Sequence, residues 1–275
     1  DFYKKNQLDV NVVDSYGWTP LHCATFYCSG KQAEDIIVKA LLETPGISID
    51  IETVDGNLPL HYFCQKFVNP SCTDLGLLLT KKQSSVNKIN KNGETPLHKA
   101  IFNNSVRMLM VELLINAGAD VNVPTITGET ALHYAVHLGR RDLLKTLLHA
   151  GAGKSLKAKS KKNNATPLEL ATSIGQDKIA EILQKASDLI EWLTEMELER
   201  FFLKFFQEEL YVDTLLEYVD SEAKADMTID SLKLDGLTMG ARLTLRKGLL
   251  GLRERYNRKL LSETASDNNN AKPAT

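Results

Sequence analysis

No apolar run in the 275 residues approaches the roughly 18 positions a membrane span needs, and no cleavable leader is visible. An excess of one charge is lacking too. The 33 basic and 35 acidic residues leave a net charge of −2, so no whole-molecule field points to nucleic acid or a membrane surface. Cysteine is scarce: Cys23, Cys28, Cys64 and Cys72 form no CxxC pair. They read as reduced thiols of a cytosolic protein, and half-buried or buried helix positions are the simplest places for them. A zinc site built from Cys23, Cys28 and His22 fits no ligand spacing, so neither a metal nor another cofactor is expected. An initiating methionine is also missing. The chain opens at Asp1, partway through a repeating unit, and is expected to be a piece of a longer protein.

What is present is enough for two modest domains, with 43% hydrophobic and 25% charged residues. One tetrapeptide recurs five times: Thr19-Pro20-Leu21-His22, Leu58-Pro59-Leu60-His61, Thr95-Pro96-Leu97-His98, Thr130-Ala131-Leu132-His133 and Thr166-Pro167-Leu168-Glu169. The copies start at 19, 58, 95, 130 and 166, in steps of 39, 37, 35 and 36. Two residues before each of the first four stands a glycine (Gly17, Gly56, Gly93, Gly128), and Asn164 holds that place in the fifth. These residue types tolerate a left-handed backbone, so a tight turn is expected there. Two short amphipathic segments complete a unit. In the fourth, Leu132, Ala135 and Val136 share one helical face. After Gly139, Leu143, Leu144, Leu147 and Leu148 share another, and Ala150-Gly151-Ala152 is a stop signal.

At these residues the chain resembles the ankyrin family, whose T-P-L-H-x-A signature and helix–turn–helix unit it matches over about residues 1–186. The first and third copies match in full, through Ala24 and Ala100. The resemblance implies an all-α solenoid of about five repeats with β-turn fingers, in which each motif His bonds to the neighbouring repeat. Thr opens the helix as a cap and Pro fits its first turn. Leu58 in place of Thr, and Phe63 in place of the small residue, predict irregular packing in the second repeat. Glu169 in place of His suits a terminal unit. The resemblance also implies protein binding on a concave face made of turn tips and first helices. The residues it places there are Ser15, Tyr16, Trp18, Phe26 and Tyr27, then Asn57, Gln65, Lys66, Lys91, Asn92 and Glu94. Phe102, Asn103, Ile126, Glu129, His137 and Leu138 complete the set. The aromatics among them are of the type enriched at binding hot spots, unless an earlier repeat packs on them.

From about Asp188 the repeat stops. Ile190-Glu191-Trp192-Leu193, an apolar face of Leu198, Phe201, Phe202, Phe205 and Phe206, and a final helix expected over 240–261 resemble a SAM (sterile alpha motif) domain over about 188–256. The resemblance implies a five-helix domain that pairs with another SAM, either in a second copy or in a different protein. Between 188 and 235 there are 14 acidic and 4 basic residues; between 236 and 259 there are 1 and 7. The acidic partner surface is then Glu208, Glu209, Asp213, Glu217 and Asp220. The basic one is Met239, Gly240, Arg242, Arg246 and Lys247. Residues 262–275 read as a disordered polar tail or linker.

Gly151-Ala152-Gly153-Lys154-Ser155 imitates a phosphate-binding loop, but Leu148 stands where the pattern needs its first glycine, and a helix end precedes it in place of a strand. Five lysines in nine residues (Lys154, Lys157, Lys159, Lys161, Lys162) read as a solvated basic finger, or as a contact for an acidic protein surface or a phosphate backbone. No serine–histidine–carboxylate arrangement stands out. The expectation from sequence is therefore a non-enzymatic, cytoplasmic adaptor or scaffold with no catalytic residues: the ankyrin groove takes a protein client and the SAM domain oligomerises. The alternatives are a regulatory fragment of a protein kinase or an ADP-ribosyltransferase, and RNA binding through the basic last helix.

Overall fold

A computed structural model describes residues 9–27, 32–66, 83–102, 108–212, 215, 229–230, 234 and 237–270. Every regular element among them is helical. The chain divides into two compact units, residues 1–179 and 180–275.

The first unit repeats one plan. The first helices of successive repeats are α1 (Pro20–Tyr27), α3 (Pro59–Lys66), α5 (Pro96–Phe102), α7 (Ala131–His137) and α9 (Pro167–Ser173). The second helices are α2 (Gln32–Leu42), α4 (Gln83–Val86), α6 (Met108–Asn116), α8 (Arg141–His149) and α10 (Asp177–Glu195). First helices stack on one another in chain order, and α2, α6 and α8 each back the first helix of their own repeat. The motif leucines Leu21, Leu60, Leu97 and Leu132 are buried at the centre of the stack, with Leu143, Leu144, Leu147 and Leu148 of α8 behind them. Such a unit cannot bury its apolar face alone, so the core is continuous from repeat to repeat.

The motif makes its own helix start. In the fifth repeat, Thr166 Oγ1 accepts from the Glu169 N–H at 3.3 Å, and Glu169 Oε2 accepts from the Thr166 N–H at 2.7 Å. This is a capping box, and losing such a cap typically costs about 1 kcal/mol. In the other repeats the His ring takes the place of that carboxylate. Nδ1 accepts from the backbone N–H of Thr19, Leu58, Thr95 and Thr130 at 3.0–3.1 Å. An accepting Nδ1 puts the proton on Nε2. Nε2 then donates across to the next repeat: His22 to the Asn57 carbonyl, His61 to Glu94 and His133 to Ala165, each at 3.2 Å. His98 Nε2 is buried without a partner at hydrogen-bonding geometry. The second repeat, expected to pack irregularly, keeps both the His cap and the bond to the next repeat. Leu58 lacks the hydroxyl that touches Nδ1 in the other copies, and Phe63 is accommodated fully buried.

The turns fall where the left-handed residues are. Gly17, Gly56, Gly93 and Gly128 have φ of 71–77°, and Asn164 has 54°. Each glycine N–H returns to the residue three before it, and the finger is closed by a second bond, as from the Asn90 N–H to the Glu94 carbonyl at 3.0 Å. This is the geometry of a tight hairpin whose last turn residue must be left-handed. The fingers also bond to one another. The N–H groups of Val54, Lys91, Ile126 and Lys161 donate to the carbonyls of Tyr16, Asp55, Asn92 and Thr127. Behind the fingers, Asn11, Asn87 and Asn122 each donate a side-chain N–H to the carbonyl of a helix-ending glycine, Gly46, Gly118 and Gly151.

Sequence ends the last repeat helix at Lys185, about two residues before a second domain that is expected to be docked on it or continuous with it. The structure shows one uninterrupted helix of 19 residues, α10, across that stretch. Its periodic apolar residues continue through Leu183, Ala186, Leu189 and Leu193, all buried, so nothing ends it before Glu195. In the second unit, α11 (Phe202–Gln207) and α12 (Met239–Asn270) are described. The apolar face expected there is buried: Trp192, Leu198, Phe201, Phe202, Phe205 and Phe206, with Leu245 and Leu249 of α12. The Trp192 and Phe205 rings meet edge-on at 6.0 Å. Gly248 lets α12 approach Met196, whose Sδ occupies the space a Cβ would need. These helices are consistent with an all-helical second unit but do not themselves show a SAM domain. Helix α12 extends to Asn270, well into the stretch expected as tail.

Candidate protein-binding groove

The exposed side of the first helices and the finger tips enclose a groove of about 560 Å³ lined by Gln65, Lys66, Phe102, Glu129, Tyr134, His137, Leu138 and Lys162. The first helices stack in phase, so the eighth and ninth residues of each motif copy, counted from its first residue, face the same side. Phe26 and Tyr27, Gln65 and Lys66, Phe102, and His137 and Leu138 all hold those places. Phe102 is 63% exposed and Ile126, at a finger tip, 58%. Lys91 and Asn92 are exposed on the neighbouring tip.

The first-repeat aromatics are divided. Tyr16 and Tyr27 are 67% and 69% exposed, and the Tyr27 ring meets Phe26 edge-on at 5.2 Å. Trp18 and Phe26 are half-buried against Tyr62, with ring centroids at 4.5 and 5.7 Å, and Lys66 Nζ lies 4.6 Å over the Phe26 ring. The same pairing returns two repeats later: Phe102 meets Tyr134 edge-on at 6.0 Å, and Tyr134 meets His98 at 5.5 Å. Tyr62 and Tyr134 were not picked out from sequence. Both occupy the x position of T-P-L-H-x-A, so motif phase was the signal that could have found them. Burial, reinforced by Glu129, pushes the Tyr134 hydroxyl up to about 12.

Asn57 departs from its expected role. It is buried, donates to Tyr62 Oη at 3.3 Å and accepts from Asn90 at 2.9 Å, so it holds a turn and does not face a partner. Glu94 is half-buried with Lys99 Nζ at 2.6 Å, and its hydrogen bonds from Asn90 and Lys99 outweigh burial and keep its carboxyl below the usual range. Glu129 accepts from Thr127 at 3.1 Å and lies 3.3 Å from His137 Nε2. Asn103 lies outside the described residues.

In the second unit, Glu208 is exposed and paired with Lys204 at 2.7 Å, and Glu209 is exposed in a left-handed conformation. Met239 is 75% exposed, Gly240 and Lys247 are exposed, and Arg246 is half-buried. Arg242 pairs with Asp230 at 2.6 Å. Asp213, Glu217 and Asp220 lie outside the described residues.

The loop that imitated a phosphate site is a short 3₁₀ turn, Ala152–Lys157. Its Ser155 hydroxyl is buried and donates to Asn122 at 2.8 Å, so it is committed to the repeat. Among the described residues no three His, Cys, Asp or Glu gather as a metal site, and no helix is long and apolar enough to cross a membrane. Cys23 and Cys64 are free thiols, the first exposed and the second buried.

Comparison with known proteins extends this picture. The chain is 43% identical over 268 residues to a probable serine/threonine-protein kinase of Dictyostelium discoideum, covering 97% of this chain and 29% of that protein. It is 39% identical over 228 residues to stress-activated protein kinase alpha of the same organism, covering 82% and 34%. It is also 39% identical over 218 residues to ankyrin repeat-containing protein kinase A of D. discoideum, covering 79% and 14%. The chain therefore spans about a third or less of the length of these relatives. They overturn the expectation of a non-enzymatic adaptor or scaffold, because proteins that share most of this chain are named protein kinases. That expectation sought chemistry only within these residues, whose motifs serve a repeat fold. The family model for ankyrin repeats (3 copies) matches residues 27–123, 69–158 and 110–191, together more than half of the chain. By this match, and by the phased motif, the finger turns and the stacked first helices, the chain belongs to the ankyrin-repeat family.

Proposed function

We propose that this chain is the ankyrin-repeat segment of a serine/threonine-protein kinase, and that its groove holds protein clients for phosphorylation. The similarity to a named kinase over nearly the whole chain carries this reading. The groove supplies the physical means: exposed Phe102 and Ile126 and the Tyr134 ring offer apolar anchors between polar walls. Holding a client beside a transfer centre raises its effective concentration without changing the chemistry. Full-length protein should transfer phosphate from ATP to serine or threonine of a generic basic protein. With a client found by capture, Phe102→Ala with Tyr134→Ala should raise KM about tenfold or more and leave the rate on a short generic peptide unchanged. Absence of any phosphoryl transfer by the full-length protein defeats the kinase reading; an unchanged client KM defeats the groove.

As part of the same proposal, residues 188–256 act as a SAM domain that associates with another SAM in the cytosol. Exposed Met239 and Leu243 beside Lys247 on α12 support this. Molar mass by light scattering should climb with concentration and fall with salt, and Lys247→Glu should suppress the climb. A flat monomer mass rules self-association out and leaves a SAM domain of a different protein as the partner to be tested.

A further inference from the structure

We infer that the client segment held in the groove is an acidic peptide, anchored by one aromatic or aliphatic residue and read by the lysines of the fifth finger. This rests on the groove being a protein-binding site and names the chemistry of its partner. From residue 143 to 168 the chain has six lysines and no carboxylate. Five of them (Lys154, Lys157, Lys159, Lys161 and Lys162) sit on the 3₁₀ turn and the finger after it, all exposed, and none makes an ion pair among the described residues. Lys162 also lines the groove, so this cationic finger runs directly into the Phe102–Tyr134 floor. Glu129, the one carboxylate among the lining residues, and the nearby Glu94 are already occupied. Glu94 is held by Lys99 and Asn90, and Glu129 by Thr127 and His137. Glu169, whose carboxyl is lowered chiefly by its bonds to Thr166 and slightly by Lys159, is committed to its capping box. The groove thus presents unpaired cations and spent anions. Like charge repels a basic segment there, and an acidic one is steered in. A peptide is favoured over a nucleic acid because the charge lies at one end of an apolar groove, whereas a polyanion needs cations along its whole track.

The test is fluorescence anisotropy on the full 275-residue chain. The probes are a fluorescein-labelled peptide with glutamates flanking one phenylalanine, the same peptide with glutamine for glutamate, and a single-stranded oligonucleotide. The glutamate peptide should bind about tenfold or more tightly than its glutamine form, with the gap closing at high salt. Lys159→Glu with Lys161→Glu and Lys162→Glu should remove that gap and leave the glutamine peptide unaffected. If the reversed variant melts differently, the same three lysines changed to Gln replace it. Equal binding of the two peptides, a gap that survives the lysine changes, or tighter binding of the oligonucleotide overturns the inference. None of these results touches the client KM effect of Phe102 and Tyr134, so the two readings fail separately.

Discussion

Lowering the pH from 6.5 toward 4 should cost the repeat stack on the order of a few kcal/mol, with His61 and His98 the main contributors. Burial is the main cause at both sites. It brings each ring from its ordinary 6.5 down to about 4, despite opposing help from the Glu94 carbonyl at His61 and the Glu94 charge at His98. Lys99 pushes both further down. The direction follows from proton counting. Between these two values the unfolded chain binds a proton that the folded chain refuses, so stability is intact above 6.5 and drains as the pH falls. His22 and His133 shift the same way, again by burial, and add to the slope. All four motif rings also accept at Nδ1 from the first N–H of their own motif, a bond that only the neutral ring can make. A protonated ring has no acceptor, so each motif loses its helix cap on protonation. Urea unfolding midpoints measured across this range should fall steadily. A double variant with His61→Asn and His98→Asn should be less stable at neutral pH but show a flatter slope. A midpoint independent of pH above the carboxylate range contradicts this account.

The second large effect is Gly93→Ala, which should cost about 2–4 kcal/mol, where Gly175→Ala should cost only about 1–2. The two glycines have nearly the same left-handed φ, 71° and 72°. Any side chain pays the backbone penalty at both. At Gly175 an added Cβ meets nothing within 4 Å; at Gly93 it meets the Ile126 nitrogen at 2.7 Å and Thr125 backbone atoms at 3.0 and 3.1 Å. Those atoms are main chain of the next finger and cannot swing aside. The surplus at Gly93 therefore measures the closeness of finger to finger, which the Ile126–Asn92 bond requires. Thermal unfolding of the two variants side by side settles it: equal losses mean that fingers do not constrain each other.

Much of this was legible before any coordinates. Five tetrapeptides with a glycine or asparagine at a fixed offset determine helix starts, turn conformation and stacking, because each motif residue has a local task. Groove residues were legible where the phase of the first helix carried them, as for Phe102, His137 and Leu138. Asn57 was misplaced because phase alone cannot tell an exposed turn amide from one drawn into the bonds of its neighbours. Tyr62 and Tyr134 were missed because the x position has no residue preference and declares its role only when the aromatic of the preceding repeat is seen beside it. The continuation of α10 past Lys185 was legible only as one of two options, docked or continuous, because repeat phase ends there while helical periodicity does not. The kinase relationship stood in the sequence reading as an alternative only, because these residues carry repeat motifs and no catalytic ones, and the similarity to named kinases is what favours it.

A finger bond recurs at every junction although the units differ in length, with steps of 39, 37, 35 and 36 residues. What keeps the repeats in register is thus tip contact and first-helix stacking, not residue count. A lineage can therefore gain or lose residues on the outer side of a unit without moving the binding surface. Single units can be exchanged as cassettes, so recognition can drift one repeat at a time while the stack stays whole.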